Sequence, residues 1–96
     1  MEKIKVVLVD DNIELVRMIN EYFSSNRAGI EVVYTANDGE EGLNIIKNKQ
    51  DEYDLIILDL VMPKKDGIAV LEQMKKDKID KKVIVLTSYN SADMIR

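Results

Sequence analysis

The regular alternation of short apolar runs with longer amphipathic stretches is the feature that most limits how this chain can fold. Four runs are rich in β-branched and other apolar residues and are predicted to be strands: 3–9, 30–35, 54–58 and 83–86. Such runs are typical of strands that are covered on both faces. Apolar residues at helical spacing lie between each pair of runs, at 13–23, 38–47 and 68–76. The order β-α-β-α-β-α-β predicts an α/β protein with a parallel sheet and right-handed crossovers.

The predicted helices begin at polar residues that can accept hydrogen bonds from backbone N–H groups. Asn12 or Asp11 can cap the first helix, and Asp38 with Glu41 has the spacing of a capping box. Ser91 can cap a fourth helix over 91–96. Because 96 residues suit one small core, we expect a single domain over 1–96.

Composition and charge remove several classes of function. The net charge of −4 gives no basic footprint for nucleic acid, and no apolar run approaches the roughly 20 residues that span a bilayer. The sequence has no cysteine, which favours a cytoplasmic setting, and no histidine, which excludes Ser-His-Asp catalysis and His-ligated metals. Any metal must therefore be held by oxygen ligands, which favours Mg²⁺ or Ca²⁺.

Polar residues follow three of the four predicted strands. Asp10 and Asp11 follow the first, Asp59 follows the third, and Thr87 and Ser88 follow the fourth. In an open parallel sheet these positions share the edge at which ligands bind. Three carboxylates that meet there raise one another's pKa or require a cation. The sequence therefore predicts an all-oxygen Mg²⁺ site.

An aspartate beside Mg²⁺ and a hydroxyl group is typical of phosphoryl chemistry. Asp59 can act as a nucleophile that forms an aspartyl phosphate, and the Thr87 hydroxyl can donate a hydrogen bond to a phosphoryl oxygen. Mg²⁺ would offset the negative charge of the phosphoryl oxygens.

Each of these residues also has a structural interpretation. The Asp10-Asp11 pair can be a helix cap, Asp59 can be a turn residue, and Thr87 can be a strand former without a role. For Asp66-Gly67 we prefer an ordinary turn pair. The functional interpretation is favoured by the coincidence of polar groups at one end of the sheet.

The motif residues resemble those of a known family, the receiver domain of two-component response regulators. The resemblance rests on Asp10-Asp11, on the D-x-x-M-P-x-x-D-G string at 59–67 and on Thr87, and it extends over the whole chain. The segments VDDNIELV, EYF and VLEQMKK are more narrowly similar to the receiver of the sporulation transcription regulator of spore-forming bacteria. The family implies a flavodoxin-like, doubly wound fold with strand order 2-1-3-4-5.

The resemblance also implies roles for individual residues and partners. Asp59 matches the phosphoacceptor, and Asp10 and Asp11 match the acidic pair, of which Asp11 is favoured as the direct Mg²⁺ ligand. The backbone carbonyl of Val61 would complete the metal ligands. Thr87 matches the switch hydroxyl, and Ser88 the small residue that leaves access to the phosphoryl group. The implied partners are a histidine kinase or phosphotransfer protein and an output domain, which belongs to a DNA-binding transcription regulator.

The chain departs from the family pattern after its fourth strand. The family's fifth strand, with its phosphoryl-binding lysine, and the fifth helix have no counterpart, so we expect a receiver domain that is incomplete at its C-terminus, with strand order 2-1-3-4. The fourth strand would then be an exposed edge that invites self-association.

Two other functions compete with the receiver interpretation. Without the lysine, the chain can be an interaction module that is not phosphorylated. A phosphatase of the haloacid-dehalogenase type also uses an Asp nucleophile, but it needs a second acid two residues later. That position is Val61, which cannot transfer a proton.

Overall fold

The computed structural model describes residues 3–25, 29–62 and 65–86. It contains the predicted alternation of strands and helices, in this order: β1 (Ile4–Val9), α1 (Ile13–Ser25), β2 (Ile30–Ala36), α2 (Gly39–Asn48), β3 (Leu55–Asp59), α3 (Gly67–Lys76) and β4 (Lys82–Leu86). A short 3₁₀ turn, Gln50–Glu52, precedes β3. Thr87, Ser88 and the predicted fourth helix lie outside the described residues.

The four strands form one parallel sheet in the order β2-β1-β3-β4, which confirms the predicted fold class. β1 and β3 lie at the centre, and this position explains their nearly continuous apolar sequences. In their register Val9 pairs with Leu58. The residues that come next, Asp10 and Asp59, therefore emerge side by side at the carboxyl edge of the sheet.

The helices cover the sheet on two sides, and alternate strand residues pack against each side. One core joins β1 and β3 to α2 and α3, through residues that include Val7, Leu58, Ile46 and Val70. Fully burying a side chain of this kind contributes about 1.5–3 kcal/mol, so the central strands dominate the stability of the domain.

The opposite face of the sheet is covered less completely by the described residues. Val6, Leu8, Val16 and Ile57 form a smaller core beneath α1. An apolar groove of about 400 Å³ runs between α1 and the outer strand β4. The side chain of Ile84 on β4 is 50% exposed. The prediction of an apolar surface next to the fourth strand therefore agrees with the described part of the chain.

Side chains cap the helices at the positions that the sequence suggests. Asn12 Oδ1 accepts a hydrogen bond from the Leu15 N–H (3.1 Å), which selects Asn12 rather than Asp11 as the cap of α1. For α2, Asp38 Oδ1 accepts from the Glu41 N–H (2.8 Å). Glu41 completes the capping box by accepting from the Asn37 N–H (2.9 Å).

The Asp66-Gly67 pair begins a helix rather than forming an ordinary turn, so that prediction was wrong. Asp66 Oδ1 accepts a hydrogen bond from the Ala69 N–H (2.9 Å), and Gly67 is the first residue of α3. Asp is a common N-cap for the same reason that it is common in turns: its carboxylate accepts from nearby backbone N–H groups. The sequence alone did not distinguish an N-cap from a turn at this position.

The 3₁₀ turn before β3 was not predicted, and tertiary contacts stabilise it. The buried Tyr53 hydroxyl donates to the Ile46 carbonyl (2.8 Å) at the end of α2. The Lys81 ammonium donates to the carbonyls of Gln50 (2.7 Å) and Tyr53 (2.9 Å). Burial raises the pKa of Tyr53 to about 12. Among the described residues, no helix has both the length and the apolar character needed to cross a membrane.

Candidate functional site

Asp10 lies at the carboxyl end of β1 and is held there by backbone and side-chain hydrogen bonds. Its N–H donates to the Ala36 carbonyl (3.0 Å), which extends the pairing with β2 by one residue. Its Oδ1 accepts from the Asn12 N–H (2.9 Å) as the chain turns into α1. The residue is buried, whereas Asp11 beside it is exposed. The acidic pair therefore offers one carboxylate inside the sheet edge and one open to water.

Asp59 is the last residue of β3, and it is only 1% exposed. Its Oδ1 accepts a long hydrogen bond from the Val61 N–H (3.3 Å). Its Oδ2 is buried and has no hydrogen-bond partner among the described residues. Buried carboxylate oxygens normally have partners, since an unsatisfied one costs free energy. This oxygen therefore needs a ligand or a cation.

The three predicted acids come together in space. One carboxylate oxygen from each of Asp10, Asp11 and Asp59 can be chosen so that all three atoms lie within 4.8 Å of one another. This proximity follows from the level ends of β1 and β3. None of the ion pairs in the described part of the chain involves these acids.

The electrostatics of this cluster oppose a negative charge on Asp59. Burial is the main reason that the pKa of Asp59 is raised above its ordinary value, and the charges of Asp10 and Asp11 raise it further. The Val61 N–H acts in the opposite direction, since it stabilises the carboxylate. A bound cation would offset both unfavourable contributions, because it stabilises the ionised carboxylate.

The donor set fits a hard divalent cation. All three side chains offer carboxylate oxygens, the ligand type that Mg²⁺ prefers, and the orphaned Asp59 Oδ2 is available to a cation. The exposed Asp11 leaves the cluster open to water, and Mg²⁺ retains several waters when bound to proteins.

The remaining predicted site residues are placed less completely. Val61 directs its N–H towards Asp59, and the ligand role of its carbonyl stays a prediction. Thr87 and Ser88 lie outside the described residues, so their roles also stay predictions.

Two glycines close to the site have a packing role that the sequence did not indicate. A Cβ on Gly67 would lie 2.8 Å from the Leu60 Cα, and one on Gly39 would lie 2.6 Å from the carbonyl carbon of Lys65. Gly39 and Lys65 are distant in sequence, whereas Gly67 and Leu60 lie at the two ends of one loop. The sequence signals were that each glycine follows a capping aspartate and that Gly67 ends the D-x-x-M-P-x-x-D-G string.

Comparison with known proteins gives a consistent family assignment. The family model described as the response regulator receiver domain matches residues 6–96. The probable C4-dicarboxylate response regulator DctR of Bacillus subtilis is 41% identical over 91 residues, which cover 95% of this chain and 39% of that protein. DctR of Halalkalibacterium halodurans is 34% identical over 93 residues, which cover 97% of this chain and 39% of that protein.

Solved structures give the same result at the level of the fold. The receiver domain of Francisella response regulator 1452 has a TM-score of 0.80 and 34% identity, covering 96% of this chain and 72% of that one. The CheX-CheY-BeF3-Mg²⁺ complex from Borrelia burgdorferi has a TM-score of 0.81 and 33% identity, covering 98% of this chain and 69% of that one.

These relatives also bear on the narrower resemblance. Both curated relatives are named for a C4-dicarboxylate response, so they lend no support to the similarity with a sporulation regulator. The chain spans about two-fifths of their length, 39% in each case. With the family model matching residues 6–96, and with the sheet order and acidic cluster in place, the chain belongs to the response regulator receiver domain family.

Proposed function

We propose that this receiver domain accepts a phosphoryl group on Asp59, with Mg²⁺ bound, and so switches the output of a two-component response regulator. The observation that carries the proposal is the buried, unpartnered Oδ2 of Asp59 in a cluster with two other carboxylates. A carboxylate with a purely structural role normally has a partner for each buried oxygen, because burial and neighbouring like charges both oppose its ionisation.

The reaction is a transfer from a phosphohistidine of a histidine kinase or phosphotransfer protein. A carboxylate oxygen of Asp59 forms a bond to phosphorus while the N–P bond of the donor breaks. The leaving imidazole keeps the electron pair of that bond and takes up a proton. The product is an aspartyl phosphate, in the manner of other carboxylate nucleophiles.

The chain's own residues prepare this step. Asp10, Asp11 and Asp59, together with the Val61 carbonyl, would hold the cation. Bound Mg²⁺ supplies positive charge that offsets the negative charge of the phosphoryl oxygens. The Val61 N–H fixes the orientation of the Asp59 carboxylate. Thr87 would donate its hydroxyl to the phosphoryl group as the switch residue, and Ser88 would leave space for access.

The wider function is part of the same proposal. The chain would serve a transcription regulator with a DNA-binding output domain. The curated relatives are named as response regulators, and the chain spans 39% of their length. The receiver would assist its own phosphotransfer and dephosphorylation and would act as a signalling module in other respects. We assign the receiver domain to 1–96, in a cytoplasmic setting that the family supports.

A second candidate is an interaction module that is not phosphorylated. The observation in its favour is that no lysine or arginine in the described part of the chain forms an ion pair with the three acids. Within the described residues, charge compensation for transfer to Asp59 would therefore depend on Mg²⁺.

Incubation with acetyl phosphate and Mg²⁺, followed by intact mass measurement, separates the two candidates. We expect a phosphoryl adduct on the wild type and none on Asp59→Asn. Asp51→Asn is the matched control, because Asp51 is exposed and lies in the 3₁₀ turn before β3. No adduct on the wild type would reject the phosphoacceptor role and leave the interaction module.

A further inference from the structure

Two described parts of the connection between β3 and α3 lie against helix starts: Lys65 against α2, and Leu60 against α3. On one side, a Cβ on Gly39, the first residue of α2, would lie 2.6 Å from the carbonyl carbon of Lys65 and closer still to its oxygen. Contacts below 3.0 Å from a Cβ are essentially never observed, so the helix start and the loop backbone can touch only because residue 39 has no side chain.

On the other side, the loop folds back onto the end of β3. The Gly67 N–H donates to the Leu60 carbonyl (3.0 Å). A Cβ on Gly67 would lie 2.8 Å from the Leu60 Cα, 3.1 Å from the Asp59 carbonyl carbon, and in hard contact with the Asp59 carbonyl oxygen. The start of α3 therefore lies directly against the backbone of Asp59.

Backbone conformation does not explain either glycine. The positive-φ residues in the described part of the chain are Gly29 and Lys78, so Gly39 and Gly67 have dihedral angles that alanine can also adopt. Glycine is therefore required because there is no room for a side chain. Both close approaches involve backbone atoms, which cannot rotate away as a flexible side chain can.

The loop held in this way carries a contact to the proposed phosphoacceptor. Val61 donates its N–H to Asp59 Oδ1, whereas Asp10 and Asp11 belong to the separate β1–α1 turn. The sheet register places Asp59 beside Asp10, so the loop sets the position of Val61 and, through the Val61 N–H, the orientation of the Asp59 carboxylate.

We infer that Gly39 and Gly67 are positioning residues, which hold Lys65 and Leu60 against two helix starts and so set the geometry of the cation site around Asp59. A side chain at either position would displace the loop or the end of β3. The Asp59 carboxylate would then move relative to Asp10 and Asp11, and the three carboxylates would bind a cation less well.

This inference rests on the proposed function, because it concerns the same cation site. The experiment is Mg²⁺ titration by calorimetry of the wild type, Gly39→Ala and Gly67→Ala, with urea unfolding measured in parallel. Gly29→Ala is the control, since Gly29 has φ +75° with nothing within 4 Å of a Cβ, at the start of β2 and away from the acids. It strains the backbone without touching the site.

We expect both loop variants to bind Mg²⁺ about 10- to 100-fold more weakly, as is usual when groups that orient metal ligands are changed. Gly29→Ala should lower the urea midpoint and leave Mg²⁺ affinity unchanged. Folded loop variants with wild-type affinity would overturn the inference while leaving the proposed function intact. Loss of folding in both variants would also overturn it, since the glycines would then serve the whole fold. A wild type that does not bind Mg²⁺ would reject the cation site itself.

Discussion

Replacing Asp59 by asparagine should stabilise the domain when no divalent cation is present. Two unit charges 4.8 Å apart repel by roughly 3 kcal/mol at an effective dielectric constant of about 20. The exposed Asp11 contributes much less than the buried Asp10, because water screens it. Asparagine also keeps an acceptor for the Val61 N–H, although it leaves a buried amide to be satisfied. We therefore expect a net gain of about 1–3 kcal/mol in the free energy of unfolding.

Urea unfolding followed by circular dichroism, at neutral pH with EDTA, measures this gain. In thermal unfolding, a gain of 1 kcal/mol would raise the Tm of a domain of this size by about 4–8 °C. Saturating Mg²⁺ should reduce or reverse the difference, because only the wild type retains all three carboxylates. Binding at 100 times Kd stabilises the folded state by about 2.7 kcal/mol. Asp51→Asn should show neither effect.

The gain should also depend on pH in a defined direction. Because the pKa of Asp59 is raised in the folded state, its destabilising effect is absent below the unfolded pKa of about 3.9 and grows as the pH rises through the folded value. The advantage of Asp59→Asn over the wild type should therefore shrink as the pH falls towards 4. An asparagine variant that is no more stable than the wild type in EDTA, or whose advantage does not change with pH, would refute this reasoning.

Two further predictions concern regions away from the acids. Tyr53→Phe should destabilise the domain by about 1–3 kcal/mol, because it leaves the buried Ile46 carbonyl without its donor. Since the pKa of Tyr53 is raised to about 12, the wild type should also lose stability between pH 10 and 12. Urea titrations at alkaline pH should show this loss in the wild type and not in the variant. Ile84→Lys should weaken self-association in sedimentation experiments without lowering the urea midpoint, because Ile84 is half exposed on β4 beside an apolar groove; a wild type that stays monomeric at high concentration would contradict this.

Much of the fold was predictable because its signals are local. The central strands are apolar on both faces, and the helices between them carry stripes at helical spacing, so a parallel α/β sheet follows from pattern alone. The meeting of Asp10 and Asp59 was predictable for the same reason, since parallel strands end at one edge. The strand order came from the family resemblance rather than from the pattern.

The features that were missed depend on contacts between distant segments. The 3₁₀ turn depends on Lys81, 28 or more positions further along the chain. From the sequence, Gly67 was interpreted as a turn residue. Glycine is needed there because the Asp59 backbone approaches closely, and local sequence does not show that contact.

The central claim is that Asp59 accepts a phosphoryl group in a site that needs a divalent cation. Borohydride reduction converts an aspartyl phosphate to homoserine, and peptide mass spectrometry locates the converted residue. After treatment with acetyl phosphate and Mg²⁺, we predict homoserine at position 59 and none when EDTA replaces Mg²⁺. Conversion at another acid such as Asp10, equal conversion in EDTA, or no conversion at all would contradict the account.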